Sequence, residues 1–143
     1  MDISISLKNM RGTVDAIASK SDAHRILIAA SLSDKPCKII LNSTSNDIEA
    51  ACRCLTAAGA VIEKDGMNLL VTPIKKAPQK AVFDCGESGN TIRFLIPVAA
   101  ALGIDSVFTG SGRLPERPQT PLLRAISENG VAVSPDGNFP IKI

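Results

Sequence analysis

Apolar and polar positions alternate over Asp2–Leu7, with Ile3, Ile5 and Leu7 on one side, which predicts a short strand. Met10-Arg11-Gly12 interrupts it, and Thr13–Ile17 reads as a second strand. The period then lengthens. From Ser19 or Ser21, either of which can cap a helix, Ile26, Leu27, Ala30 and Leu32 form one apolar side up to about Ser33. The Ile-Ile-Leu run of Lys38–Leu41 predicts a fully buried strand. Ser45-Asn46-Asp47 caps a second helix that turns Ile48, Ala51, Cys52 and Leu55 inward and stops near Gly59. Val61–Glu63 and Leu69–Val71 flank Asp65-Gly66 as a hairpin.

The same succession then returns. Strand Ala81–Asp84 leads to a helix from about Ser88 to Leu102, strand Ser106–Thr109, and a helix from about Thr120 to Asn129. Gly130 stands where a left-handed helix cap belongs, and Val131–Val133 with Ile141–Ile143 forms a last hairpin around Asp136-Gly137. Arg25 and Arg93 are 68 residues apart and the two Asp-Gly turns 71, so three residues are gained, most simply in the loop Gly110–Arg117. One folding unit is used twice. Pro73–Lys80, with two prolines and three lysines, is the connection. The chain therefore divides into an N-terminal strand segment (1–12), a first βαβαββ unit (13–74), a linker (75–80) and a second unit (81–143). Strand-helix-strand connections imply parallel pairing with helices on one face of each sheet, so the two units of this α/β chain should pack helix to helix around a shared core. Pro140-Ile141-Lys142-Ile143 closes the second unit without a trailing tail, which predicts a chain cut at a unit boundary.

Composition narrows the function classes. The 45% apolar and 21% charged fractions are those of a globular protein. A net charge of +2, with no Trp or Tyr and four Phe, argues against a nucleic-acid-stacking surface, so any anion site must come from local clustering. Cys52 and Cys54 point different ways on one helix, no Cys-x-x-Cys occurs, and the single His24 has no partner at ligand spacing. The expectation is no metal site, cysteines of a reducing compartment, and a partly exposed His24. With no apolar run of membrane-span length and no signal-peptide core, the expected location is cytoplasmic.

Three segments concentrate charge where helices begin. Ser19-Lys20-Ser21 opens the first helix, and Arg25 follows Ser21 by one turn, so Lys20, Ser21 and Arg25 can surround a phosphate or carboxylate. A Ser cap with two solvated cations accounts for the same residues. Gly86-Glu87-Ser88-Gly89-Asn90-Thr91 is a small-residue loop in which Gly89 permits close approach of a ligand to a helix start, or simply makes a tight turn. It is neither a Walker loop nor a dinucleotide fingerprint. Arg93 repeats Arg25 or supports the loop from beneath. Gly110–Pro118 holds two arginines, Arg113 and Arg117, and two prolines after a buried strand, a usual ligand position, or else Arg117 pairs with Glu116 or another carboxylate. Asp47 caps its helix or orients a lysine, and Glu87 is a proton-transfer candidate or a surface carboxylate.

These motifs together resemble the 5-enolpyruvylshikimate-3-phosphate synthase family. Ser-Lys-Ser-x-x-x-Arg at Ser19–Arg25, Asp47 in its Ser-Asn-Asp segment, Gly-x-Ser-Gly-x-Thr-x-Arg at Gly86–Arg93, and Arg-Leu-Pro-Glu-Arg-Pro at Arg113–Pro118 follow the family's order and spacing. The resemblance implies an enzyme about three times this length, with two domains of three units each. It implies transfer of the enolpyruvyl group of phosphoenolpyruvate to the 5-hydroxyl of shikimate 3-phosphate, releasing phosphate, with no metal or organic cofactor. By motif position it assigns Lys20 to both substrates, as the catalytic residue of this portion. Ser21 and Arg25 fall to shikimate 3-phosphate, Gly89 and Arg117 to phosphoenolpyruvate, and Asp47, Glu87, Asn90 and Arg93 to support. It also implies domain closure around the substrates, a monomeric whole enzyme, and first residues (Met1–Arg11) that belong to the opposite domain. A chain of this extent is then expected not to turn over alone and to self-associate through an uncovered apolar face. Two features depart from the family pattern: Glu87 replaces an Asn and Asn90 the first Thr of the glycine loop, which places a carboxylate beside the phosphoenolpyruvate position. The alternatives are a UDP-N-acetylglucosamine enolpyruvyl transferase, whose start motif and loop cysteine differ, and a non-catalytic anion-binding module.

Overall fold

A computed structural model describes Ser4, Asn9 and residues 11–134 and 137–143. The strand expected at Asp2–Leu7 and the turn at Asp136 lie outside the described residues.

Three helices begin by the same local device. In α1 (Lys20–Ser31) the Ser19 Oγ accepts from the Asp22 N–H, in α2 (Asn46–Ala57) Ser45 accepts from Ile48, and in α3 (Gly89–Ala101) Ser88 accepts from Thr91, at 3.3–3.4 Å. Each cap satisfies an otherwise orphaned donor and contributes about 1 kcal/mol. α4 (Thr120–Glu128) has no side-chain cap and begins instead with a proline in its first turn.

The first sheet comprises β1 (Cys37–Ile40), β2 (Val61–Asp65) and β3 (Asn68–Thr72) in the order β1-β3-β2, antiparallel throughout. The second comprises β4 (Lys80–Asp84), β5 (Asp105–Thr109) and β6 (Ile141–Lys142) in the order β4-β5-β6. Here β4 and β5 are parallel, placing Phe83 opposite Phe108, and β5 and β6 are antiparallel. Those two rings stack at 4.7 Å and 12°. Leu27 of α1, Leu55 of α2, Ile92 and Ile96 of α3 and both phenylalanines belong to one buried cluster that spans the two units. The helices pack on one another inside, as the repeat predicts.

Several expectations change. Thr13–Ile17 is not a strand: Val14 and Ile17 are exposed, and the segment is held by the Ala18 N–H on Ser43 Oγ (2.7 Å) and Asn42 Nδ2 on the Ala16 carbonyl (2.6 Å). Without it beside β1, parallel pairing occurs only in the second unit. β1 alternates rather than being fully buried, with Ile39 inside and Ile40 80% exposed. Ile26 and Leu32 also face outward, while Ala23, His24 and Ser31 join Leu27 and Ala30 inside. Cys54, not Cys52, is the fully buried cysteine of α2. Val131–Val133 forms no strand: Ser134 meets β6, its N–H on the Lys142 carbonyl at 3.0 Å, while β6 pairs with β5, Ser106 and Ile143 exchanging backbone bonds at 2.8 and 3.1 Å. No helix among the described residues is long and apolar enough to cross a membrane.

Candidate anion-binding cleft

The inward packing of the helices brings the starts of α1, α2 and α3 to one place. Asn90 Nδ2 on α3 donates to Ser21 Oγ on α1 at 3.4 Å, and Thr91 Oγ1 lies 3.5 Å from the Asp47 carbonyl of α2. Lys20, Ser21, Asp47, Glu87, Ser88, Gly89, Asn90, Arg93 and Arg117 line one cavity of about 470 Å³ there. Of the candidates named in the sequence, Lys20, Ser21, Asp47, Glu87, Gly89, Asn90, Arg93 and Arg117 line it, whereas Arg113 and Arg25 do not. The Arg25 guanidinium is exposed and bonded to Asp22 Oδ1 at 3.1 Å, one turn back along its own helix. A wider cleft of about 900 Å³ continues past Lys20, Asp47 and Glu87 toward Arg53.

The charges are arranged in layers. Lys20 Nζ meets Asp47 Oδ2 at 2.8 Å, and that hydrogen bond holds the Asp47 carboxyl below its ordinary range despite partial burial, with Ser88 helping. Asp47 thus remains a carboxylate that fixes the lysine rather than an acid with a proton to give. Arg117 follows a single 3₁₀ turn, Leu114–Glu116, whose Leu114 is fully buried and anchors the loop. A Cβ on Gly89 would stand 3.0 Å from Arg117 Nη1, so the guanidinium lies directly over the start of α3, where free N–H groups favour an anion. Buried Gln119 connects the two arginines of this wall: its Oε1 accepts from Arg93 Nε and its Nε2 donates to the Arg117 carbonyl, both at 3.3 Å. Glu87 is exposed, and its carboxyl lies over Gly112, whose φ of +54° and missing side chain make room for it. Among the described residues Glu87 has no cation within salt-bridge distance.

Three groups at the cleft were not picked out by sequence reasoning. Ser88 stands in the sequence as a helix start, a serine between a strand and an apolar-periodic run, but its place in the cavity wall comes from the fold. Gln119 carries no local signal. His24 is not partly exposed but 1% exposed, with Nδ1 2.6 Å from the Lys20 carbonyl and Nε2 2.9 Å from Thr91 Oγ1. Its i+4 spacing from Lys20 accounts for the first contact. The second comes from the other unit. Burial pushes the Cys52 thiol up to about 11, and Cys85 is raised by its contact with Cys54 and by burial, so neither is poised as a nucleophile. Among the described residues no group of three or more His, Cys, Asp or Glu is placed to hold a metal ion. The cleft can grip a multiply charged anion between two helix starts, with Lys20 between its chambers.

Comparison with known proteins gives a consistent family. The family model described as EPSP synthase (3-phosphoshikimate 1-carboxyvinyltransferase) matches residues 6–143. A 3-phosphoshikimate 1-carboxyvinyltransferase of Clostridium kluyveri is 43% identical over 117 residues, covering 81% of this chain and 28% of that protein. Those of Clostridium acetobutylicum and Methanococcoides burtonii are 36% and 34% identical, covering 94% and 100% of this chain and 33% and 34% of theirs. The chain spans about a third of the length of the curated relatives it matches. An EPSP synthase structure from Acinetobacter baumannii superposes with a TM-score of 0.80 over 92% of this chain and 31% of its own, at 22% identity, which establishes likeness of fold.

Proposed function

We propose, from the premise that this chain belongs to the EPSP synthase family, that its cleft is one wall of a site that transfers the enolpyruvyl group of phosphoenolpyruvate to the 5-hydroxyl of shikimate 3-phosphate. In that reaction a C–O bond to the 5-hydroxyl oxygen forms, its O–H bond and the C–O bond to phosphate break, and the proton and phosphate leave together as hydrogen phosphate. Both substrates carry several negative charges, and charge moves onto the departing phosphate. Fixed cations and helix starts aimed at that position stabilise the transition state without reorganising. In this reading Lys20, between the two chambers, touches both substrates. Ser21, and Arg25 once released from Asp22, hold the shikimate phosphate. The Gly89 backbone and Arg117 hold phosphoenolpyruvate, Arg93 and Asn90 support that wall, and Asp47 keeps Lys20 extended. Glu87 tempers the positive field at the rim. The same reading makes the protein cytoplasmic, consistent with four free cysteines.

The observation that carries the proposal is the meeting of Lys20, Gly89 and Arg117 in one cavity although they lie far apart in the chain. Calorimetric titration of this chain with shikimate 3-phosphate, and separately with phosphoenolpyruvate, tests it. Lys20→Ala should weaken both, whereas Arg117→Ala should weaken phosphoenolpyruvate more than shikimate 3-phosphate. Charge-assisted contacts of this type contribute about 1.5–3 kcal/mol, so losses of roughly 10- to 100-fold are expected. Equal affinities in wild type and Lys20→Ala would defeat the assignment.

A further inference from the structure

His24 is the single histidine of the chain, and the site as described does not use it. It is buried between α1 and α3, its ring meeting Phe94 edge-on at 6.2 Å and 60°. Its Nδ1 lies 2.6 Å from the Lys20 carbonyl oxygen. A carbonyl oxygen only accepts, so Nδ1 carries a hydrogen and donates it. In the neutral ring, Nε2 is then an acceptor, and Thr91 Oγ1 at 2.9 Å is its donor. Thr91 Oγ1 is in turn 2.8 Å from Ser88 Oγ, the cap of α3, and 3.5 Å from the Asp47 carbonyl at the start of α2. One imidazole and one hydroxyl therefore join the first turns of α1 and α3; with the Thr91 hydrogen on Nε2, the Asp47 carbonyl of α2 is a neighbour at 3.5 Å and not a hydrogen-bond partner. Buried hydrogen bonds of fixed direction are strong selectors of a single geometry, because each broken member leaves an unsatisfied polar atom.

We propose that His24, acting through Nδ1 on the Lys20 carbonyl and through Nε2 on Thr91, is a positioning residue that fixes the Lys20 ammonium on Asp47 and the start of α1 against the start of α3. Its Nδ1–H tautomer is part of the site's geometry, although the ring never touches a ligand. The proposal rests on the functional reading only for its consequence, substrate affinity. The positioning itself is read without any ligand.

Because the chain has one histidine, its ¹⁵N imidazole spectrum is unambiguous. Wild type should show a protonated Nδ1 and an unprotonated, hydrogen-bonded Nε2, and Thr91→Val should shift only Nε2 toward its free value. A protonated Nε2 with bare Nδ1 would overturn the proposal.

Carboxyl ¹³C titration then reads the effect on Lys20. In His24→Leu the Asp47 midpoint should rise toward that of an ordinary aspartate, while Glu49, held low by Lys64 on the outer side of α2, should not move. Glu49 thereby reports that the variant is folded. In His24→Asn, whose Nδ2–H can replace Nδ1–H at the Lys20 carbonyl, Asp47 should rise less than in His24→Leu, both variants losing the lesser direct effect of the imidazole charge. A purely space-filling role predicts no such rescue. An unmoved Asp47 in a folded His24→Leu would overturn the proposal, and so would equal midpoints in the Leu and Asn variants. Should His24→Leu fail to fold, the Nε2 response of Thr91→Val and the Asp47 midpoint in His24→Asn decide. Shikimate 3-phosphate affinity should fall roughly five- to tenfold in Thr91→Val. If Lys20→Ala leaves that affinity unchanged, the functional reading fails while the tautomer and Asp47 results still judge the positioning.

Discussion

Glu87→Gln should tighten anion binding, and the size of the gain can be worked from the cleft. The substitution keeps the shape of the side chain lying over Gly112 and removes one negative charge from a wall that also holds Arg93 and Arg117. An anion centred in a cavity of about 470 Å³ lies within several ångströms of its lining. At about 6 Å a like unit charge costs about 0.7 kcal/mol in a water-like dielectric and about 2.8 kcal/mol at the effective value of 20 found near protein surfaces. Glu87 is exposed, which favours the lower part of that range, near 1 kcal/mol, or roughly a fivefold gain in affinity per unit of ligand charge. Titration of wild type and Glu87→Gln with phosphoenolpyruvate and with inorganic phosphate measures it. The gain should shrink as salt is raised through about 0.1 M, where the screening length falls to about 10 Å. Glu128→Gln, whose carboxylate is engaged by Arg124 on α4, serves as the control for a general change in net charge. An unchanged or weaker affinity in Glu87→Gln, or an equal gain in Glu128→Gln, would refute the electrostatic argument.

Other consequences follow from the same geometry. Gly89→Ala should leave thermal stability nearly unchanged, because Gly89 is the first residue of α3 and not one of its interior positions, where Ala outranks Gly. The new Cβ, 3.0 Å from Arg117 Nη1, should nonetheless displace that guanidinium and weaken phosphoenolpyruvate binding. Gly112→Ala instead should lower the melting temperature, because φ is +54° and the Cβ runs into Glu87; left-handed backbone alone costs about 1–2 kcal/mol. Lys20→Ala should destabilise the fold by about 0.2–1 kcal/mol at neutral pH, the range for a partly exposed pair. Because the folded Asp47 carboxyl is depressed, that contribution is complete above its ordinary value of 3.8 and is lost as pH falls through the depressed one. Urea midpoints of wild type and variant should therefore converge in strong acid, and a constant gap would contradict the pairing. Phe108→Ala should cost about 3–5 kcal/mol, and a double-mutant cycle with Phe83→Ala should return a coupling of about 0.5–1.5 kcal/mol for the stacked rings.

What the sequence determined by itself was everything carried by neighbours along the chain. The caps at Ser19, Ser45 and Ser88, the helix ends before Gly59 and Gly130, and the paired apolar runs of the repeat are short-range facts, satisfied within a few residues of backbone. The motifs around Lys20, Gly89 and Arg117 were legible for the same reason. Which face meets which was not. Beside Arg25 in its helix, His24 reads as partly exposed in the sequence, and the hydroxyl that completes its burial lies 67 residues away on α3. Gln119 links Arg93 to the loop backbone across 26 residues, with nothing nearby to announce it. Thr13–Ile17 and Val131–Val133 have strand-like composition yet form no strands. A strand exists only where a neighbouring edge takes up its hydrogen bonds, and neither segment pairs with one. Periodicity states that a surface needs covering, and only the folded chain selects the cover.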